Sequence, residues 1–282
     1  MKKYLVSIKL FIIIVLAEIA FGPNVTYAQK NNVVRVGIPN HTKSMKVSTM
    51  FNDLLNITRA VNKEGGFETK FIPLPAKRIK EMLIEGQIDL EVARIENYNR
   101  DAPSLLKSKE IFTTLNLTLL KIPSHKGPYK VSEVMKEGHL IAYPSSILLI
   151  QEFFKDYSKA IPLEQEANIF DVLKSKRVGY LLTFAFQVFE NLISKNYLDR
   201  AEILEVSEII NSANTYTFFN KDRKNLMELY DKHLTFNSPL RRKVFASSKS
   251  FQMVKDLPKD HMAKQIYLKL IQCDESIFKE KK

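Results

Sequence analysis

The feature that most constrains the fold is the alternation of strand-like and helix-like patterns over residues 33–95, joined by links of only a few residues. VVRVGI at 33–38 is rich in β-branched residues, and Val47, Met50, Phe51, Leu54, Thr58 and Val61 then recur at helical spacing. Gly65 and Gly66 close that helix, 67–74 read as a second strand, 76–85 as a short helix ended by Gly86, and IDLEVA at 88–93 as a third strand. Strands alternating with helices over such short links predict a mainly parallel sheet covered by helices.

The pattern breaks at KIPSHKGPY, residues 121–129, where Pro123, Gly127 and Pro128 punctuate the chain, and then restarts. A strand is expected at 139–143, a helix at 146–157 with Ile147, Ile150, Phe153 and Phe154 as its apolar residues, a short helix at 168–175, a strand at 177–182 and a helix at 184–195. Phe184, Phe186 and Phe189 fit the buried face of that helix better than a binding box. After 202–206 and the polar stretch 211–214, the run 215–219 reads as one more strand, and helices are expected at 223–234, 239–246 and 259–272. No internal repeat with a period of about 20 to 50 residues is present.

Residues 1–28 have the layout of an export signal: Lys2 and Lys3, an apolar run over 10–20 interrupted by Glu18, and Thr26-Tyr27-Ala28 as a cleavage site. The run is shorter than the roughly 20 apolar residues of a membrane span, and no Cys follows it for lipid attachment. The expected product starts near Gln29 and is a soluble, unlipidated periplasmic protein. Cleavage removes Lys2, Lys3, Lys9 and Glu18, leaving 40 basic against 30 acidic residues. Outside the cytoplasm this excess suits an acidic ligand or docking partner, not nucleic acid. The basic residues, such as Lys77, Arg78, Arg177 and the run Arg241-Arg242-Lys243, are scattered, as on a solvated surface. The single Cys, Cys273, excludes a disulfide framework or a cysteine metal site. The His at 41, 125, 139, 233 and 261 lack ligand spacing, and no GxSxG, HExxH or phosphate-binding Gly loop occurs. No catalytic residue, metal or cofactor is implied.

PLPAKRIKEMLIEGQIDLEVARI, residues 73–95, resembles the signature of the family 3 extracytoplasmic solute-binding proteins, receptors that deliver polar amino acids and similar solutes to ABC importers. In that signature a helix is followed by a Gly, an Asp and a strand leading into the ligand cleft, here Gly86 and Asp89. Pro75, Arg78 and the ending Ala93-Arg94-Ile95 are similar to an uncharacterised branch with Ala-Arg where the amino-acid binders have Ala-Gly. Residues 216–245 resemble the family's return segment. The resemblance implies a two-lobed α/β fold, the periplasmic binding protein-like class II type, with two interlobe crossovers near 121–129 and 207–215. Lobe 1 is then 29–122 and 208–282, and lobe 2 is the insert 123–207. It implies a monomer that captures a small polar, carboxylate-bearing, amino-acid-like solute by hinge closure, with the membrane subunits of an ABC importer as partner. The alternatives are a dehydratase-like periplasmic enzyme on the same scaffold, with Glu110 or His41 as general acid, and an orphan sensory receptor.

Arg94, at the end of the third strand, can grip a carboxylate in bidentate fashion or pair with Glu91 or Glu96. Arg100 lies nearer the family's carboxylate-binding Arg, but without the Thr-Pro-Glu that precedes it there. Arg78 stands on the short helix, and Asn40 and His41 lie in the loop after the first strand, where the family places ligand contacts. Ser145 and Ser146 precede a helix of the second unit and can offer amides to an anion or cap the helix; Tyr143 can stack on a ligand or pack in the core. Asp89 and Glu91 share a strand face, and Asp89 reads as structural. In the amino-acid binders an Asp in a Gly-Arg-Val-Asp-Ala-like run holds the ligand ammonium, whereas Lys176-Arg177-Val178-Gly179-Tyr180 carries Gly179 there. Unless Glu110, Glu164 or another acid takes over, an anionic or neutral solute is expected.

Overall fold

The computed structural model describes residues 32–39, 49–122, 124–145, 148–163, 172, 177–194 and 205–279. Strand β1 (Val33–Pro39) is followed by helix α1 (Thr49–Glu64), β2 (Glu68–Leu74), α2 (Ala76–Ile84) and β3 (Leu90–Ile95), the alternation expected from the sequence. Gly66, at φ 75°, lets the chain reverse after α1 without the strain a Cβ would bring. A 3-10 turn (Glu96–Asn99), the two-residue β4 (Leu106–Lys107) and β5 (Thr113–Lys121) come next. Then follow α3 (Val131–Lys136), β6 (Ile141–Pro144), α4 (Leu148–Phe153), β7 (Ala160–Leu163), β8 (Tyr180–Phe184), α5 (Ala185–Ser194) and β9 (Glu205–Phe219). The chain ends in α6 (Lys224–His233), α7 (Pro239–Ala246), α8 (Lys249–Val254), α9 (Met262–Ile271) and a 3-10 turn (Glu275–Lys279). The expected signal at 1–28 lies outside the described residues, as does all of the expected helix at 168–175 except residue 172. No helix among the described residues is long and apolar enough to cross a membrane.

All nine strands belong to one hydrogen-bonded sheet of order β2-β1-β3-β9-β5-β8-β6-β7, with β4 also on β9. The sheet is mixed, not mainly parallel: β1–β3, β6–β7 and β6–β8 are parallel, whereas β9 and β5 pair antiparallel with each other and with their other neighbours. The cause is β9, a single 15-residue strand that covers the polar stretch 211–214 expected to be a connection. There Asn214 pairs with Thr114 and accepts a hydrogen bond from its Oγ1 (3.1 Å), so the polar residues are ladder members.

The faces of β5 feed two cores. Leu117 and Leu119 pack with Val134 of α3, Ile150 of α4 and Leu182 of β8, while Leu120 turns to a larger cluster with Val188 and Phe189 of α5 and Tyr267 of α9. Buried Asp89 ties β1 to the start of α6: it accepts the Arg35 backbone N–H (2.7 Å), the Arg35 guanidinium (3.0 Å) and Arg223 Nε (2.7 Å). Burial pushes its carboxyl up, but the bonds from Arg35 and the Arg223 charge outweigh this and hold it below the usual range.

Arg241, expected on the surface, is fully buried. Its guanidinium donates to the Leu234 carbonyl (3.0 and 2.9 Å), to those of Phe112 (3.1 Å) and Ile271 (3.2 Å), and to that of Ile111. It thereby satisfies carbonyls at the ends of α6 and α9 and at the entry to β5, and burial lowers its pKa to about 10. Arg241→Met keeps the apolar stem and strands those carbonyls, so unfolding free energy should fall by about 3 kcal/mol. A urea midpoint equal to that of the unmodified protein would show that they find other donors.

Candidate ligand-binding site

The strand registers locate the site. β3 runs antiparallel to β9 and ends with Ile95 opposite Thr215, which in turn lies opposite Thr113 of β5. β8 runs antiparallel to β5 from Tyr180, opposite Lys121, to Phe184, opposite Leu117. Since β1 is parallel to β3 and β6 and β7 are parallel to β8, two sets of strands run toward each other along the β5–β9 ribbon. Their carboxyl ends face across the stretch from Thr113 to Leu117, roughly 13 Å at strand rise. Loops beyond the carboxyl ends of parallel strands are where α/β sheets bind ligands.

Arg94 stands at this edge, and its placement depends on an irregularity. In an uninterrupted strand residues three apart face opposite sides. Between Glu91 and Arg94, however, β3 carries one residue more than β9, and Ala93 sits at φ 60° in the left-handed region. The bulge swings Arg94 onto Glu91, where Nε donates to Oε1 at 2.5 Å and Nη2 lies against the same oxygen without hydrogen-bonding geometry. Glu91 is fully buried and also accepts from the Tyr98 hydroxyl. Burial pushes its carboxyl up, against the pull of Arg94, Tyr98 and Lys80; burial and the Glu91 charge push the Tyr98 phenol up. Lys80 of α2 bonds the Tyr98 carbonyl (2.7 Å) and the Asp101 carboxylate, and lies 4.9 Å from the Tyr98 ring centroid.

The other candidates are not gathered around Arg94. Arg78 is exposed and pairs with Glu81 one turn on (3.1 Å). Arg100 is exposed beyond the 3-10 turn. Tyr143, on β6, is half-buried with its ring 5.4 Å from Phe154 in the second core, the packing alternative. Ser145 follows β6 at the facing edge, but its N–H donates to the Leu163 carbonyl (2.8 Å), so that amide is already engaged within the fold. Asn40, His41 and Ser146 lie outside the described residues. Phe184 and Phe186 stack on each other, half-buried, while Phe189 is buried against Tyr267. The sequence did not single out Tyr98, or Thr114, Asn214 and Gln272, which join in a polar chain (3.1 and 2.8 Å) at the level of the facing edges.

Gly179 requires a correction. It precedes β8 at the strand's amino end, whereas Phe184 and Ser145 close the carboxyl ends of β8 and of its parallel neighbour β6. An acid at 179 would sit at the far end of the strand from Ser145, so its absence says nothing about the charge of the ligand.

No family model matches the chain, and no curated protein sequence matches it. Solved structures do. An ancestral cationic amino acid solute-binding protein matches with a TM-score of 0.58 at 17% identity, over 86% of this chain and 96% of its own. The unliganded, open L-cystine solute receptor of Neisseria gonorrhoeae matches with a TM-score of 0.57 at 14% identity, over 87% and 97%. A probable amino-acid ABC transporter extracellular-binding protein of Bacillus subtilis matches with 0.52 at 16%, over 84% and 97%. The chain has the two-lobed α/β fold of these solute-binding proteins.

The bulge gives a direct test of how Arg94 is placed. Ala93→Gly removes the left-handed strain of about 1 kcal/mol and should leave stability unchanged or slightly raised, whereas Ala93→Val, β-branched, should cost about 2 kcal/mol or more. Equal melting temperatures for the two variants would contradict a left-handed residue at 93.

Proposed function

We propose that the protein is a non-enzymatic, exported, unlipidated periplasmic solute-binding protein that captures a small polar, carboxylate-bearing, amino-acid-like solute between two lobes and presents it to an ABC importer. The observation that carries this is the meeting of two sets of strand carboxyl ends along one antiparallel ribbon. Lobe 1 is assigned to 29–122 and 208–282 and lobe 2 to 123–207, with β5 and β9 as the hinge that hinge closure bends. The neighbouring structures are amino-acid binding proteins, which supports the ligand class.

Arg94 is the ligand's counter-charge. Its contacts to Glu91 run through Nε and Nη2, which leaves Nη1 for the solute carboxylate. Ser145, Tyr143, Arg78 and Arg100, with Asn40, His41 and Ser146, complete the candidate set, and the polar chain Gln272–Thr114–Asn214 is added to it.

Melting the purified protein against amino acids and simple carboxylates tests the assignment, since a compound at 100 times its Kd adds about 2.7 kcal/mol. At least one carboxylate should raise the melting temperature, and Arg94→Ala should weaken its binding by about 3 kcal/mol while also lowering the melting temperature of the free protein, because buried Glu91 loses its counter-charge. NMR of that compound should show it unaltered; conversion would make the protein an enzyme, and no stabilising compound in the panel would remove the proposed function.

A further inference from the structure

The loop that leaves β5 folds back over the start of β8, and His125 is its point of attachment. The His125 N–H donates to the Ile122 carbonyl (2.8 Å), and the ring lies against Gly179, where a Cβ would collide with Nε2, Cε1 and Cδ2. The ring stands edge-on to Tyr180 (centroids 5.0 Å apart, 88° between planes) and to His139 (5.6 Å, 79°). Tyr180 donates its hydroxyl to the Pro128 carbonyl (2.8 Å), and Lys121 reaches the Gly127 carbonyl (3.4 Å) with its ammonium 3.5 Å from the Tyr129 ring centroid.

This seat accepts only the neutral imidazole. Nε2 of His125 is buried with no hydrogen-bond partner among the described residues, whereas an imidazolium needs an acceptor at each nitrogen. His139 and Tyr180 touch the ring, Lys121 of β5 acts on it by charge, and Glu137 and Tyr129 lie around Tyr180; Lys126 belongs to its own loop, and Lys130, Glu133 and Lys136 stand at the start of α3 and along it. Glu137 is paired with His139 Nε2 at 3.0 Å, so its carboxylate is already engaged beside the seat.

We propose that His125 is a proton-sensitive latch: neutral, it docks the loop residues 124–130 on the start of β8, and protonated, it releases them and loosens the approach to α3. Burial, followed by the charges of His139 and Lys121, lowers the proton affinity of the folded imidazole. The unfolded chain therefore takes up the proton first on acidification, and stability falls as pH drops through the ordinary imidazole value of about 6.5.

The test is an NMR titration of the imidazoles in the full chain, with amide exchange followed by mass spectrometry at about pH 7.5 and about pH 5.5. His125 should titrate below the ordinary value, and exchange in 124–130, corrected for its intrinsic pH dependence, should rise roughly tenfold more than in α9. His125→Phe keeps an aromatic ring without the proton and should abolish that difference; Gly179→Ala should free the loop already at the higher pH. A His125 midpoint at or above about 6.5 overturns the proposal on the unmodified protein alone, and the same acid loosening in His125→Phe overturns it as well.

Discussion

The architecture depends on one backbone interaction, the long antiparallel pairing of β5 with β9. Nine residues of β5, from Thr113 to Lys121, face β9, and β9 runs on past Thr215 to pair with β3 while β5 pairs with β8 on its other side. Two strands that cross the whole sheet antiparallel to their neighbours oblige the β1–β3 set and the β6–β8 set to point at each other. Facing carboxyl ends, and with them a place for a ligand, follow from hydrogen-bond direction before any side chain is considered. Two register shifts within the ribbon, at Leu117–Thr118 and Leu119–Leu120, add the twist and bend of β-bulges close to that place.

Electrostatics refine what the backbone positions. Arg94 would be a bare cation on the facing edge were it not for Glu91, and Glu91 would be a buried carboxylate without a counter-charge were it not for Arg94. Neither is tolerable alone at that burial, since removal of one partner leaves the other's charge desolvated and uncompensated. The left-handed Ala93 is the local cost of bringing them together, of about 1 kcal/mol. The arrangement reduces the net charge that the edge presents while retaining directed N–H donors, which suits recognition of a solute by geometry as well as by attraction. Asp89, two residues earlier, has no such role: its oxygens are occupied by Arg35 and Arg223, which join β1, β3 and α6.

The first half of the fold was legible because its signals are local: β-branched runs, helical spacing and the glycines after α1 and α2 mark β1 to β3 within a residue or two. Strand β5 was not read, although Leu115, Leu117 and Leu119 alternate with Asn116 and Thr118, because no turn residues bound it on its amino side. The unity of β9 was hidden by Asn211, Ser212 and Asn214, which locally favour a turn and here are held extended by pairing with β5. Arg94 was legible as a candidate, and so was Glu91 as its rival partner; the positive φ of Ala93 that joins them leaves no trace in an alanine. Arg241 was placed on the surface for want of any sequence sign that carbonyls from three elements would converge on it. The place of Gly179 is not legible in its neighbours, because strand direction and register, not the local run of residues, decide that it lies at the amino end of β8.

The central claim is that the two sets of carboxyl ends share one ligand. Backbone amide NMR of the isotopically labelled protein, titrated with the first carboxylate that raises its melting temperature, tests it most directly. The account predicts that the amides of Arg94, Ile95 and Glu96 shift together with those of Thr183, Phe184 and Ser145, at a single dissociation constant, while Gly179 and Tyr180 stay still. Shifts confined to one of the two sets, or centred on Gly179, would contradict it.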